Sequence, residues 1–226
     1  IDRIVVGSAF TPSAPLRAFP QLHHNARGNG QFSGLLQAYI VYQSILRRTG
    51  LYSLDTDVSQ NILTRRLNVR PFSKANVEMM DHHEAHAQAA YRTQAEDRCL
   101  VLTVDAMGDG TTATVSLGEA GRLDQIWRQS GRASVNTFYS RITEFLGFTA
   151  NRHEGKITGL AAYVEPPPLL LAHLRKRLSF IGPGFAHLPW NHRERKDDPF
   201  WREVGNWSRE EVASTAQLVL EESVSA

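Results

Sequence analysis

A single cysteine stands in 226 residues. A lone thiol cannot close an internal disulfide, so packing and hydrogen bonding must hold this chain together. Cys99 lies beside the apolar run Leu100-Val101-Leu102, which predicts a structural thiol rather than a nucleophile. A reducing, cytoplasmic compartment is the matching expectation. Charge of one sign is also scarce: 25 Lys and Arg against 23 Asp and Glu leave a net charge of +2. That excess is too small to recruit nucleic acid, and no nucleic-acid partner is expected. No apolar stretch approaches the roughly 18 residues of a membrane-spanning helix, so no membrane association is expected. No signal peptide is visible. The chain opens Ile1-Asp2-Arg3-Ile4-Val5-Val6-Gly7-Ser8 without an initiator methionine, and is expected to be a piece of a longer protein already entering a strand.

Hydrophobic residues make up 42% and charged residues 21%, the composition of a soluble globular protein with a substantial core. Short β-branched or apolar runs at residues 4–6, 77–80, 99–104 and 111–117 predict strands, and 123–129 can pair back across the turn Gly118-Glu119-Ala120-Gly121. Residues 11–34, rich in Pro, Gly, His and Asn, read as a long loop. Apolar spacing predicts a helix over 35–49, stopped by Gly50. Residues 51–76 carry no decisive pattern. The helix formers of 84–94 predict a second helix. Phe138, Ile142, Phe145 and Leu146 predict a third, ending at Gly147. Pro166-Pro167-Pro168 can open a helix running to Leu178, and 182–206 read as an irregular excursion. There Phe185, Trp190, Phe200, Trp201 and Trp207 are expected to pack, and Arg193, Arg195 and Lys196 to be solvated. Ser208 with Glu211 forms a capping box for a final helix.

Three clusters carry chemistry. The first is Asp81-His82-His83-Glu84-Ala85-His86. On a helix, His82 and His86 share one face and can grip one metal ion, and neutral imidazole suits iron or zinc. Asp81 or Glu84 can then fix a ring tautomer from behind. Set against this is the reading of three ordinary histidines at a helix start. The second is Asp105-Ala106-Met107-Gly108-Asp109-Gly110-Thr111-Thr112. Asp105 at the strand end can hold a metal, and successive N–H groups with Thr hydroxyls can form a phosphate nest. A plain hairpin with glycine at its turn explains the same residues equally well. The third runs from Asn151 to Tyr163 and holds Glu154 and Lys156 between glycines on an expected loop before a small-residue helix. Lys156 can meet a phosphate as a point charge; a solvated loop and helix start is the plainer alternative.

In this order, the clusters resemble the NodU/CmcH-type O-carbamoyltransferase family. That family carries a D-H-H-x-x-H segment, then D-G-x-G-D-G-T-T after a strand, then E-Y-K-x-M-G-L-A-P-Y. Departures are Ala106 for a glycine, Gly155 for the aromatic, Thr158 for the methionine and Val164 for the glycine after the final tyrosine. The resemblance is dense from about residue 77 to 163 and thinner beyond. It implies an α/β, actin/hexokinase-like (ASKHA) ATPase fold of two lobes with mixed sheets, residues 1–96 belonging to the first lobe and 97–226 to the second. It implies a metal held by His82, His86 and Asp105, with a further aspartate from beyond residue 226. Gly108, Asp109, Gly110, Thr111, Thr112, Glu154 and Lys156 would form the nucleotide site, with magnesium accompanying the nucleotide. His83, Asp109 and Lys156 are the candidates for proton transfer and charge neutralisation. The activity implied is transfer of a carbamoyl group from carbamoyl phosphate, through carbamoyl adenylate made with ATP by a YrdC-like domain of the same protein, to a hydroxyl of a small-molecule or sugar acceptor, as in natural-product or nodulation-factor biosynthesis. An actin-like kinase or ATPase without carbamoyl chemistry, and a non-catalytic metal-binding domain, are the alternatives.

Overall fold

The computed structural model of the chain describes residues 2–9, 11–21, 34–68, 74–131, 134–181, 184–187 and 198–225. They form an α/β arrangement in two compact units, the described residues up to 131 and those from 134 onward.

In the first unit, strands β1 (Arg3–Gly7) and β2 (Asn76–Met80) pair in parallel, Arg3 opposite Asn76 and Gly7 opposite Met80. The connection between them includes α1 (Ala14–Ala18), α2 (Gly34–Thr49) and α3 (Tyr52–Leu67). The long loop expected over 11–34 thus contains a short helix at Ala14, with Pro15 near its start, and its residues 22–33 lie outside the described residues. Helix α3 occupies the stretch that showed no pattern. Its inward face is polar: Asp55 and Ser59 are its buried residues. Asp55 accepts from the Ala14 N–H at 3.0 Å and from the Tyr42 hydroxyl at 3.0 Å. An amphipathic stripe is the signal a sequence reader follows, and this helix docks without one.

From β2 the chain enters α4 (His82–Thr93). A three-stranded antiparallel meander follows, β3 (Cys99–Gly108), β4 (Thr111–Glu119) and β5 (Arg122–Ser130). Both its turns are two residues long with left-handed backbone, Asp109-Gly110 at φ 49° and 74° and Ala120-Gly121 at φ 49° and 76°. That geometry matches the right-handed twist of a tight hairpin. One face of the meander packs on α4 through Ala87, Tyr91 and Val101, with Cys99 against this cluster, as a structural thiol should. Gly118 admits the Tyr91 ring, since a Cβ there would lie 2.5 Å from its Cε2.

The second unit is mostly helical: α5 (Val135–Phe145), α6 (Glu154–Ala161), α7 (Pro168–Leu174), α8 (Pro199–Val204) and α9 (Arg209–Ser225), with a hairpin of β6 (Leu178–Ile181) and β7 (Gly184–His187). Its core gathers Phe138, Ile142, Ile157, Leu170, Leu174 and Val212, all fully buried. The helix after the prolines ends at Leu174, and Leu178 opens a strand instead of closing that helix. Within the stretch expected to be irregular, Asp198 caps α8 by accepting from the Phe200 N–H at 2.9 Å. Phe200 and Trp201 are buried, Trp201 stacking on Phe145 at 4.8 Å. Trp207 packs against the same core. Trp190, Arg193, Arg195 and Lys196 lie outside the described residues, as does the side chain of Phe185. The capping box forms as expected: the Glu211 N–H donates to Ser208 Oγ at 3.2 Å, and the Ser208 N–H to Glu211 Oε2 at 2.8 Å. Among the described residues, no helix is long and apolar enough to cross a membrane.

Candidate metal centre

Helix α4 starts abruptly because its first N–H groups are taken by carboxylates. Asp81 is the N-cap and accepts from the N–H groups of His83 at 3.0 Å and Glu84 at 3.3 Å. Its other oxygen meets the Arg47 guanidinium at 2.9 Å. The His82 N–H goes to Asp109 Oδ2 at 2.9 Å. Asp81 thus serves the backbone and Arg47, not a ring nitrogen, and Glu84 is exposed.

This start projects His82 and His86 from one face. Their Nε2 atoms stand 3.2 Å apart. Asp105 comes to them from β3. The pairing of β3 with β4 jumps from Val104 opposite Ala113 to Gly108 opposite Thr111, so residues 105–107 bulge out of the ladder. Such a bulge re-aims side chains, and Asp105 Oδ2 lies 2.6 Å from His82 Nε2 and 3.9 Å from His86 Nε2. One donor atom from each of the three residues lies within 4.8 Å of the others.

The donor chemistry fits a divalent cation. Each neutral imidazole carries one ring proton and one lone pair, so two Nε2 atoms and a carboxylate oxygen in one spot can be satisfied together by a single cation. Ligands about 2.1 Å from an ion stand roughly 3.0–3.4 Å from one another, close to the separation of the two histidine nitrogens. Two imidazoles and one carboxylate suit iron or zinc. Without a cation, the hydrogen bond to Asp105 raises the pKa of His82, and the same contact pulls Asp105 down to about 2. Solvent reaches the cluster through His86, whose side chain is 57% exposed.

His83, a candidate base, turns the other way. It is fully buried. Its Nδ1 meets Thr103 Oγ1 at 2.7 Å and its Nε2 meets the Thr111 carbonyl at 3.0 Å. A carbonyl only accepts, so Nε2 bears the proton and Nδ1 accepts from Thr103, which in turn accepts from Thr114 at 2.7 Å. Burial lowers the His83 pKa and keeps the ring neutral. Here His83 braces α4 against the meander.

Residues Gly108 to Thr112, the candidate nest, are all buried. Asp109 accepts from the N–H groups of Ala9 and His82, and its own N–H donates to Thr11 Oγ1 at 2.8 Å. A Cβ at Gly108 would lie 2.0 Å from His82 Cδ2, so glycine is needed there for the imidazole to lie across the turn. Thr112 Oγ1 donates to the Ser130 carbonyl at 3.4 Å, whereas Thr111 Oγ1 is buried without a partner. The turn is a two-residue hairpin, and its residues meet His82, Ala9 and Thr11.

Glu154 and Lys156 belong to the second unit. The helix there begins at Glu154 itself, so both residues sit on its first turn and not on a preceding loop. Glu154 Oε1 accepts from Ser140 Oγ at 3.1 Å and from the Asn151 N–H, which steadies Asn151 in its left-handed conformation at φ 61°. Lys156 is exposed, its Nζ 5.3 Å from the centre of the Phe148 ring.

Comparison with known proteins agrees with the ordered motifs. The family model for the carbamoyltransferase N-terminus matches residues 31–218, and the chain belongs to that family. It is 26% identical over 94 residues, 42% of this chain and 14% of the relative, to nodulation protein NolNO of Sinorhizobium fredii. To nodulation protein NolO of Bradyrhizobium diazoefficiens it is 30% identical over 87 residues, 38% of this chain and 16% of that protein. An uncharacterized protein of Methanocaldococcus jannaschii is 30% identical over 188 residues, 73% of this chain and 30% of its own length. The chain thus spans less than a third of each of these relatives.

Proposed function

We propose that this chain is the metal-binding part of an O-carbamoyltransferase, in which a carbamoyl group passes from carbamoyl adenylate to a hydroxyl of a small-molecule or sugar acceptor. The observation that carries this is the convergence of His82, His86 and Asp105 from a helix start and a bulged strand, in a member of the carbamoyltransferase N-terminus family. His82, His86 and Asp105 would hold the ion, which when bound supplies Lewis-acid polarisation of a carbonyl or phosphoryl oxygen. The acceptor oxygen bonds to the carbamoyl carbon as the bond from that carbon to the phosphate oxygen of AMP breaks, and the hydroxyl proton leaves to a base. Lys156, exposed on the first turn of its helix, is the group we assign to phosphate charge. The two-lobed actin/hexokinase-like architecture, carbamoyl phosphate and ATP as substrates, a YrdC-like domain that forms the adenylate, and a cytoplasmic setting complete the reading.

Supplying the intact protein with carbamoyl phosphate and ATP should yield carbamoyl adenylate and pyrophosphate. His86→Ala should abolish both stoichiometric metal and carbamoyl transfer while leaving the circular dichroism spectrum unchanged. Retention of metal and transfer in that variant would refute the assignment. ATP turnover indifferent to carbamoyl phosphate would favour a kinase-like ATPase.

A further inference from the structure

The turn Asp109-Gly110 joins the strand that carries Asp105 to the strand β4, and Asp109 and the residue before it, Gly108, both touch His82. The Asp109 carboxylate is fully buried. One of its oxygens, Oδ2, accepts from the Ala9 N–H at 2.7 Å and from the His82 N–H at 2.9 Å. Its other oxygen lies 3.5 Å from Ser8 Oγ. Its own N–H donates to Thr11 Oγ1, which also accepts from Gln43 Nε2 at 2.7 Å. One side chain therefore ties together the exit of β1, the first residue of α4 and the turn beyond Asp105. Its left-handed backbone, φ 49°, is the conformation a two-residue hairpin requires. Next to it, Gly108 presents a bare backbone on which the His82 ring rests; a Cβ would come within 2.7 Å of the His82 Cβ and closer still to the ring.

We propose that Asp109 and Gly108 are positioning residues of the metal centre: Asp109 sets where the His82 backbone begins the helix, and Gly108 sets how its imidazole lies, so that Nε2 meets Asp105 and His86. This inference rests on the metal reading given above, and it gives Asp109 a task other than proton transfer or phosphate contact. The surroundings favour it. With Asp81 on the N–H groups of His83 and Glu84, and Asp109 on that of His82, the helix start is filled by carboxylates of the chain itself. The N–H groups that a phosphate would need there are already taken. An Asn at 109 keeps the shape, and its amide oxygen can still accept from Ala9 and His82, but it gives up the charge that strengthens both bonds and places a donor where the second oxygen faced Ser8. An Ala at 108 suits the local backbone, whose φ is not left-handed, and must push away the His82 ring together with its Cβ.

The test is metal affinity of the intact protein, read by zinc titration calorimetry and by the visible absorption of bound cobalt. Asp109→Asn and Gly108→Ala should each weaken zinc binding by about tenfold to a hundredfold, the range seen when groups that orient metal ligands are removed, and should alter the cobalt bands. Circular dichroism checks folding, and should Asp109→Asn fail to fold, Gly108→Ala decides. Wild-type zinc affinity and cobalt bands in the folded variants would overturn the proposal, all the more so if ATP binding alone were weakened. His86→Ala serves as the control: if it too keeps zinc, the metal reading itself fails. If it loses zinc while the other two keep it, only the positioning roles fail.

Discussion

His82 and His83 are neighbours in sequence, yet one step along a helix turns them about 100° apart. His82 lies across Gly108 toward Asp105, while His83 enters the interior and is held between Thr103 and the Thr111 carbonyl. His83→Ala should therefore act on stability. It takes away the acceptor of the Thr103 hydroxyl proton and the donor to the Thr111 carbonyl and leaves a cavity, a loss of about 2–5 kcal/mol that urea denaturation would measure. Tyr42 offers a pH test. Burial, then its hydrogen bond to Asp55 and that carboxylate's charge, raise its hydroxyl from 10.0 to about 12. Between those values the folded protein keeps a proton that the unfolded chain has released, so this contribution to stability declines as pH rises through the window. Thermal melts from pH 10 to 12 should fall more steeply for the wild type than for Tyr42→Phe. Equal slopes would show that the hydroxyl does not titrate in this way.

Helices here are set as much by their ends as by their faces. Helix α9 begins with a reciprocal capping box, and Ser208→Ala should cost about 1 kcal/mol, read as a lowered thermal midpoint without loss of helical signal at low temperature. Helix α4 is capped by Asp81, whose residue type announces a helix start, and additionally by Asp109, which comes from 27 residues later in the chain. Strand β3 looks from its sequence like a plain buried run. Its bulge at 105–107 is what delivers Asp105 to the imidazoles, and a bulge is a property of pairing with a partner strand, not of the strand alone.

The whole chain divides into two compact units, and the second has a continuous apolar core. Ile142 is fully buried within it. Ile142→Ala should destabilise the protein by about 2–5 kcal/mol, measured as a shift of its chemical denaturation midpoint. The first unit is held differently. It relies on buried polar contacts, with Asp55, Asp109, His83 and Gln43 among its interior residues. Removal of a single partner from such a network leaves the others unsatisfied, which concentrates the sensitivity of this unit at a few positions.

Residue pattern alone determined the local features: the meander with its Ala120-Gly121 turn, a helix over most of 84–94, the capping box at Ser208, and the two imidazoles spaced to share a face. Each depends on residues within a few positions of one another, where propensity and periodicity act directly. The hydrophobic spacing of Phe138, Ile142 and Leu146 likewise announced a helix whose apolar face is buried. Helix α3 escaped notice because its docking face is Asp55 and Ser59, whose partners are brought from elsewhere in the chain. The same reason governs the site. Only the tertiary structure decided that Asp105 bends toward the histidines, that His83 turns inward, and that the glycine-rich turn seats His82, because each outcome depends on contacts between residues 20 or more positions apart.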